Sequence, residues 1–446
     1  MHIPDGYLSP ATCAGGYLAA VPFWGVAVTR VRRFIGGRTV PLLAIFSAFS
    51  FAIMMFNVPV PGGTTAHGVG GTLTAIVLGP WAAIISTSVA LIIQALFFGD
   101  GGITAIGVNC LNMGVILPMA GYFTYRILAG RSGMLTQRRV IAAAIGSYVG
   151  ISLAALFVGI ELGIQPHFWS TNGVPDYSPY NLTTAIPAML LSHMLGASFV
   201  EGAITALGVS YLQKSYPEIL LRRSSRTAED EAQARKLNPW AVAVPLVVLA
   251  AGGMFAVGLI KGHGHLDQWA GLNWSTVSWA DAAGTVIVSL VISAVVLPAV
   301  FFLMRRQKAW RGPVLLLIGM LIWVPIGLIA PGGAFAEEST ATQAEVTAAL
   351  QARSAGDSAL FEKLPDINQQ CACVPSKIEN VTYSGNAILA GYQPPWVHAG
   401  DSAWKQNLGY QFAGFAGMGG LFLLAFAIYR GGKWLAPTAP PDWRNA

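Results

Sequence analysis

Apolar runs of about 20 residues, the length that carries a helix across a bilayer, recur along this chain with polar breaks between them. They lie near residues 10–29, 39–57, 70–79, 81–98, 104–126, 140–161, 184–213, 239–260, 284–304, 313–330 and 410–430. The pattern predicts an all-α polytopic membrane protein of about eleven transmembrane helices. The third run is too short to cross unless it is tilted or partly re-entrant. The Gly79-Pro80 pair that ends it suits a tight turn into the fourth.

The polar breaks alternate in character. Basic residues cluster at Arg30, Arg32, Arg33 and Arg38, at Arg126, Arg131, Arg138 and Arg139, and at Lys214, Arg222, Arg223, Arg226, Arg235 and Lys236. Further clusters are Arg305, Arg306, Lys308 and Arg311, then Arg430, Lys433 and Arg444, which together make 21 of the 26 Lys and Arg. With eleven alternating spans all five clusters fall on one side, the cytoplasmic one by the positive-inside rule. The expected orientation in the cell (inner) membrane is therefore N-terminus outside, C-terminus inside. No basic residue precedes Arg30, so the positive n-region of a cleavable signal is missing and Met1 is expected to be the mature end.

Composition agrees with this layout. Hydrophobic residues are 54% of the chain, charged residues only 10%, and mean hydropathy is +0.57, whereas soluble domains carry about 25% charged residues. The net charge of +6 follows from topology and implies a lipid bilayer, with no nucleic acid partner.

Residues 214–238 form the longest polar cytoplasmic stretch and read as a linker. They separate a seven-span part, 1–213, from a four-span part, 239–446, whose extracytoplasmic insertion covers 331–409. Four cysteines are too few for a disulfide framework. Cys13 and Cys110 fall in predicted spans as buried thiols, while the outer pair Cys371 and Cys373 suits either a disulfide or a soft metal.

All seven histidines fall outside or at an outer helix end: His2, His67, His167, His193, His263, His265 and His398. The sharpest pattern among them is the amino terminus, Met1-His2-Ile3-Pro4-Asp5-Gly6. With histidine second, the terminal amine, the deprotonated His2 amide and a His2 ring nitrogen can close two adjacent chelate rings on one ion. A fourth nitrogen completes a square plane, the geometry of copper(II) or nickel(II), with cobalt(II) also compatible. His67, in the glycine-rich outer segment from Pro59 to Gly71, is the candidate. Thr64 and Thr65 are placed to orient its ring, and a solvated loop histidine is the plainer alternative.

A second polar element runs from Phe98-Gly99-Asp100-Gly101-Gly102 to Asn109 and Asn112. The two asparagines, i and i+3, share a helix face expected to point into the bundle, lining the pocket or tying helices together. His193 and Glu201 are intramembrane polar residues and so functional candidates, with an interhelical hydrogen bond as the competing role. His263-Gly264-His265 with Asp267 offers a further outer cluster, which solvated loop residues would equally explain.

The amino-terminal octapeptide Met1 to Leu8, the loop bearing His67-Gly68-Val69-Gly70, the Leu78-Gly79-Pro80-Trp81 turn, and Ala95 to Gly102 through Asn109 and Asn112 together resemble the CbiM/NikM family. These are the substrate-capturing S components of energy-coupling factor importers for cobalt and nickel. The resemblance covers about 1–213. It implies a seven-span bundle plugged by its own amino terminus, metal ligands at Met1, His2 and His67, and nickel or cobalt as transported substrate. Its implied partners are two ATPase subunits (CbiO/NikO-like) and a transmembrane T component (CbiQ/NikQ-like). The last two spans with their insertion look like an enlarged version of the small partner CbiN/NikN.

No G-x-x-x-x-G-K-[ST] phosphate loop is present, so pumping is assigned to separate chains and this one is not expected to be an enzyme. H-E-x-x-H and G-x-S-x-G are likewise missing. The alternative function is a stand-alone secondary divalent-metal transporter, which usually needs intramembrane carboxylates. Only Glu201 falls deep in a predicted span.

Overall fold

The computed structural model describes residues 1–32, 39–56, 58–60, 64–221, 228–259, 279–306, 308–325, 341–364, 366–378, 387–398 and 401–435. Among them, seven helices are long and apolar enough to cross a membrane: 10–32, 80–98, 106–129, 137–168, 182–215, 282–303 and 404–427. Two shorter apolar helices cover Val40–Met54 and Val314–Trp323. The molecule is thus an all-α multi-pass membrane protein whose only strands, among the described residues, are two small hairpins.

Helix α1 (Pro10–Arg32) starts where the sequence dictates. Pro10 occupies the first turn, where a missing N–H is harmless, and the Ser9 hydroxyl accepts from the Thr12 N–H at 3.2 Å. Helix α2 (Thr39–Met54) leads into a hairpin of β1 (Val58–Val60) and β2 (Thr64–Ala66), registered Val58 to Ala66 and Val60 to Thr64. The third apolar run becomes α3 (Gly71–Leu78), only eight residues long and buried from Gly71 to Val77. It lies inside the protein as a plug of backbone, which is where helix too short to reach both interfaces is tolerated.

Gly79 joins α3 to α4 (Pro80–Ile93) with φ 95° and ψ 155°, a conformation essentially restricted to glycine. A π turn, Gln94–Phe98, extends α4. The fifth run is interrupted: α5 (Ile106–Asn109) passes into a π turn at Cys110–Ile116 before α6 (Leu117–Ala129). Then come α7 (Gln137–Gly163), α8 (Leu182–Ser192) and, after a third π turn at His193–Ala197, α9 (Ser198–Ser215). Small residues let these helices touch, as membrane packing requires. A Cβ on Gly146 would lie 2.5 Å from the Gly121 carbonyl, and one on Gly150 2.6 Å from that of Leu117.

The C-terminal part contributes α10 (Trp240–Leu259), α11 (Trp279–Leu303), α12 (Lys308–Trp323), α13 (Gln343–Ser354) and α14 (Ala403–Leu435). It is fastened to the first part along α2. Gly417 of α14 abuts Phe51, and the Tyr410 hydroxyl donates to the Met55 carbonyl at 3.2 Å. Within it, Asn407 donates to Thr285 at 2.7 Å and Gln411 to the Ile322 carbonyl at 2.8 Å. In the insertion a capping box of Thr342 and Glu345 starts α13. Cys371 and Cys373 are disulfide-bonded to each other, which decides between the two roles their spacing allowed.

Candidate metal centre

The amino terminus does not trail into solvent. Residues 1–8 thread into the bundle, and Met1, His2 and His67 are only 5%, 4% and 4% exposed. Each step of the thread is tied down. The Asn109 side chain accepts from the Ile3 N–H at 2.9 Å and donates to the Ile3 carbonyl at 3.1 Å, which also accepts from the Gly102 N–H at 2.8 Å. The Asp5 carboxylate accepts from the N–H groups of Ile103 (3.0 Å) and Thr104 (2.8 Å) and from the Thr104 hydroxyl. The Ser178 N–H donates to the Tyr7 carbonyl at 3.0 Å, and the Ser9 N–H to Gln165 at 3.0 Å. Gly102 has to be glycine, because a Cβ there would stand 2.4 Å from the Asp5 nitrogen.

This anchoring delivers three nitrogen-bearing groups to one place. The Met1 amine lies 3.5 Å from Nε2 of His67, and the His2 and His67 rings stack with centroids 4.8 Å apart. Nδ1 of His67 donates to the Gly68 carbonyl at 2.9 Å, which fixes the tautomer and leaves the Nε2 lone pair facing the amine. Nδ1 of His2 lies 3.0 Å from an Asp100 oxygen, while its Nε2 is buried with no hydrogen-bond partner among the described residues. Burial, with the terminal amine's charge beside them, holds both imidazoles well below the ordinary histidine range. Both rings are therefore neutral at pH 7. Among the described residues no three His, Cys, Asp or Glu side chains converge as a metal cluster. An ion held here would need main-chain nitrogens.

Asp100 links the centre to the C-terminal part. Its carboxylate accepts from the Tyr392 hydroxyl at 2.5 Å and from Gln94 at 3.3 Å, and Gln94 donates also to the Tyr392 oxygen at 2.7 Å. The Tyr392 ring stacks on Phe98 at 4.9 Å, and the Leu389 N–H donates to the Phe97 carbonyl at 2.9 Å. Burial pushes the Asp100 carboxyl up, and the tyrosine hydrogen bond pulls it back.

The sequence-selected residues thus divide. Met1, His2, His67 and Asn109 meet. Asn112 does not join them, because the π turn beginning at Cys110 rotates it off the Asn109 face. Its amide instead donates to Glu161 at 2.6 Å. His193 donates from Nδ1 to the Met189 carbonyl at 2.8 Å, spanning the start of its own π turn. Backbone strand β2 carries Thr64 and Thr65, whose side chains lie outside the described residues, as do His263, His265 and Asp267. Sequence reasoning passed over two members of the centre and one carboxylate outside it. Asp100, an acid isolated between glycines and two apolar runs, carried a usable signal. Tyr392, nearly 300 residues away, carried none. Glu161, the last residue of the expected span 140–161, lies within α7, so Glu201 is not the single carboxylate in a span.

Fold and thread together define a helical multi-pass membrane protein that buries its own amino terminus beside a loop histidine. The family model described as the cobalt uptake substrate-specific transmembrane region matches residues 2–219. A fused nickel transport protein, NikMN, of Rhodobacter capsulatus is 45% identical over 316 residues, 70% of this chain and 87% of the relative. The putative metal transport protein MJ1569 of Methanocaldococcus jannaschii is 47% identical over 51% of this chain and 98% of its own length. A crystal structure of a truncated transition metal transporter aligns with a TM-score of 0.45 and 54% identity, covering 48% of this chain and 98% of that one. The chain belongs to the CbiM/NikM family of nickel and cobalt transport proteins, with a NikN-like part fused at its C-terminal end.

Proposed function

We propose that this protein is the substrate-binding membrane component of an ATP-driven importer of the energy-coupling factor type, with nickel(II) or cobalt(II) as its transported substrate. The ligands are the Met1 amine, the His2 amide and Nδ1, and Nε2 of His67. The observation that carries this reading is the approach of the buried terminal amine to within 3.5 Å of Nε2 of His67. Four nitrogens sharing a plane suit nickel(II) best by geometry.

Closing the second chelate ring requires Nδ1 of His2, the atom that lies 3.0 Å from an Asp100 oxygen. Half a turn about Cβ–Cγ exchanges Nδ1 for Cδ2 and brings Nε2 to the side of Asp100. The carboxylate can then hold the ring from behind, as acids do for metal-bound imidazoles. Asn109 keeps the thread in register while this happens. On this reading residues 1–213 form the capture domain, 214–238 a cytoplasmic linker and 239–446 an accessory membrane domain. The N-terminus is extracytoplasmic and the C-terminus cytoplasmic. ATP hydrolysis belongs to separate CbiO/NikO-like subunits acting through a CbiQ/NikQ-like T component.

The test is metal content after equilibration with equal nickel and cobalt, for the native chain and for His2→Ala. The substitution removes the ring nitrogen and with it the second chelate ring, and leaves the amine and His67 in place. Near-stoichiometric metal in the native protein and its loss in the variant is the expected result; equal binding by both refutes the site. Uptake in cells with and without the ATPase subunits tests the energy source, and uptake that persists without them favours a secondary transporter.

A further inference from the structure

Glu201 is a fully buried carboxylate that the ligand set does not use. It stands on α9, and both its oxygens are engaged by the loop that carries His67. One accepts from the Val69 N–H at 2.9 Å, the other from the Gly70 N–H at 2.9 Å. Ser147 approaches the second oxygen at 3.4 Å and hydrogen-bonds Thr205 at 2.8 Å, bracing the carboxylate from α7.

The loop is shaped to receive it. A Cβ on Gly68 would lie 2.6 Å from the carboxylate, so the acid sits flush against the main chain. Gly70, at φ 72°, turns the backbone so that two successive N–H groups face one acceptor pair. The peptide between Gly68 and Val69 then acts as a rigid coupler. Its N–H is held by Glu201, and its carbonyl, on the opposite side of a trans plane, accepts from Nδ1 of His67 at 2.9 Å. Fixing one edge of that plane fixes the other.

We propose that Glu201 is the positioning residue for His67: by clamping the Val69 and Gly70 amides to α9 it sets the tautomer and aim of the imidazole that supplies the fourth nitrogen. This rests on the metal site proposed above. Capture of the ion by the amino-terminal chelate does not require the clamp; completion of the plane does.

The experiment is nickel(II) binding, read as affinity and as the visible ligand-field spectrum, on full-length Glu201→Gln, His67→Ala and the double variant. Gln keeps one acceptor and presents an N–H₂ to the other amide. The expected result is a loss of affinity of about 10- to 100-fold in Glu201→Gln. Its spectrum should shift to that of His67→Ala, and the double variant should bind no more weakly than His67→Ala alone. Gly68→Ala, which wedges the same contact from the loop side, should reproduce the shift, and it answers the question if Glu201→Gln does not fold. A native spectrum in Glu201→Gln or Gly68→Ala overturns the proposal, and so do losses that multiply in the double variant. Native binding by His67→Ala removes the site itself, and the clamp's role with it.

Discussion

At the residue scale the centre depends on keeping two imidazoles neutral and out of water. Burial is the main cause of their lowered pKa values, with the terminal amine's charge adding to it. The folded value lies below the unfolded one, about 6.5, so the unfolded chain binds protons that the folded chain refuses. Stability is therefore whole above about pH 6.5 and declines as pH falls below it towards the folded values. The metal-free protein should show a falling thermal midpoint between pH 7 and 5, with a shallower slope in His67→Ala; parallel slopes would contradict the assignment. The same neutrality fixes the proton balance of binding. The rings have none to give at pH 7, so the amine and amide supply about two protons per ion. Calorimetry in buffers of different ionisation enthalpy measures that number directly. Of these residues His2 and His67 were legible in the sequence, because a histidine at position two and a histidine in a glycine-rich outer loop each imply a chemistry. Asp100 was visible only as an isolated acid, since its role depends on which ring nitrogen it faces.

At the element scale the apolar runs translate well into helices, and the failures have physical causes. The third apolar run counts among the eleven although it is too short to cross untilted, and as α3 its eight residues are swallowed by the bundle. Period arguments assume one helical pitch, and the π turn after Asn109 breaks that assumption, parting Asn112 from Asn109. The turn at Gly79-Pro80 was legible because glycine and proline restrict backbone angles locally. Gly79→Ala places a Cβ at φ 95°, ψ 155°, and should destabilise the protein by about 1–3 kcal/mol, measured as a lower unfolding midpoint in detergent. The space around Gly79 is open, so any loss reports backbone strain and not collision. Asn109→Ala acts differently. It removes the one side chain that bonds both the N–H and the carbonyl of Ile3; the carbonyl keeps the Gly102 N–H, and the buried N–H is left with a desolvation cost of about 1–3 kcal/mol. Nickel affinity should fall with the ligands intact, and labelling of the terminal amine should quicken; unchanged labelling would show that the thread is held elsewhere.

At the scale of the whole molecule the C-terminal part reaches the centre, among the described residues, through the Tyr392 side chain. Tyr392 donates to Asp100, and Asp100 holds Nδ1 of His2, so on the proposed ligand set the hydroxyl bears on a ring that turns before the chelate closes. Nothing local in the sequence connects position 392 to position 2; the link exists only because α14 packs on α2 and brings the insertion over Phe98. Tyr392→Phe preserves the ring stack and deletes the hydroxyl alone. Asp100 then loses its shortest hydrogen bond while buried, and a carboxylate deprived of one donor holds its remaining donors more tightly. The His2 ring should turn less readily, and nickel association should slow by about 10-fold, near the lower end of the effects seen when a partner of a metal-bound histidine is removed. Dissociation should change little, because in the proposed bound state Asp100 would face Nε2 and not Nδ1. Stopped-flow mixing of nickel(II) with native and Tyr392→Phe protein separates the two rates. A slower association with native dissociation makes the C-terminal part a kinetic participant in capture, whereas identical association rates would leave it bound to the bundle with no hand in loading the ion.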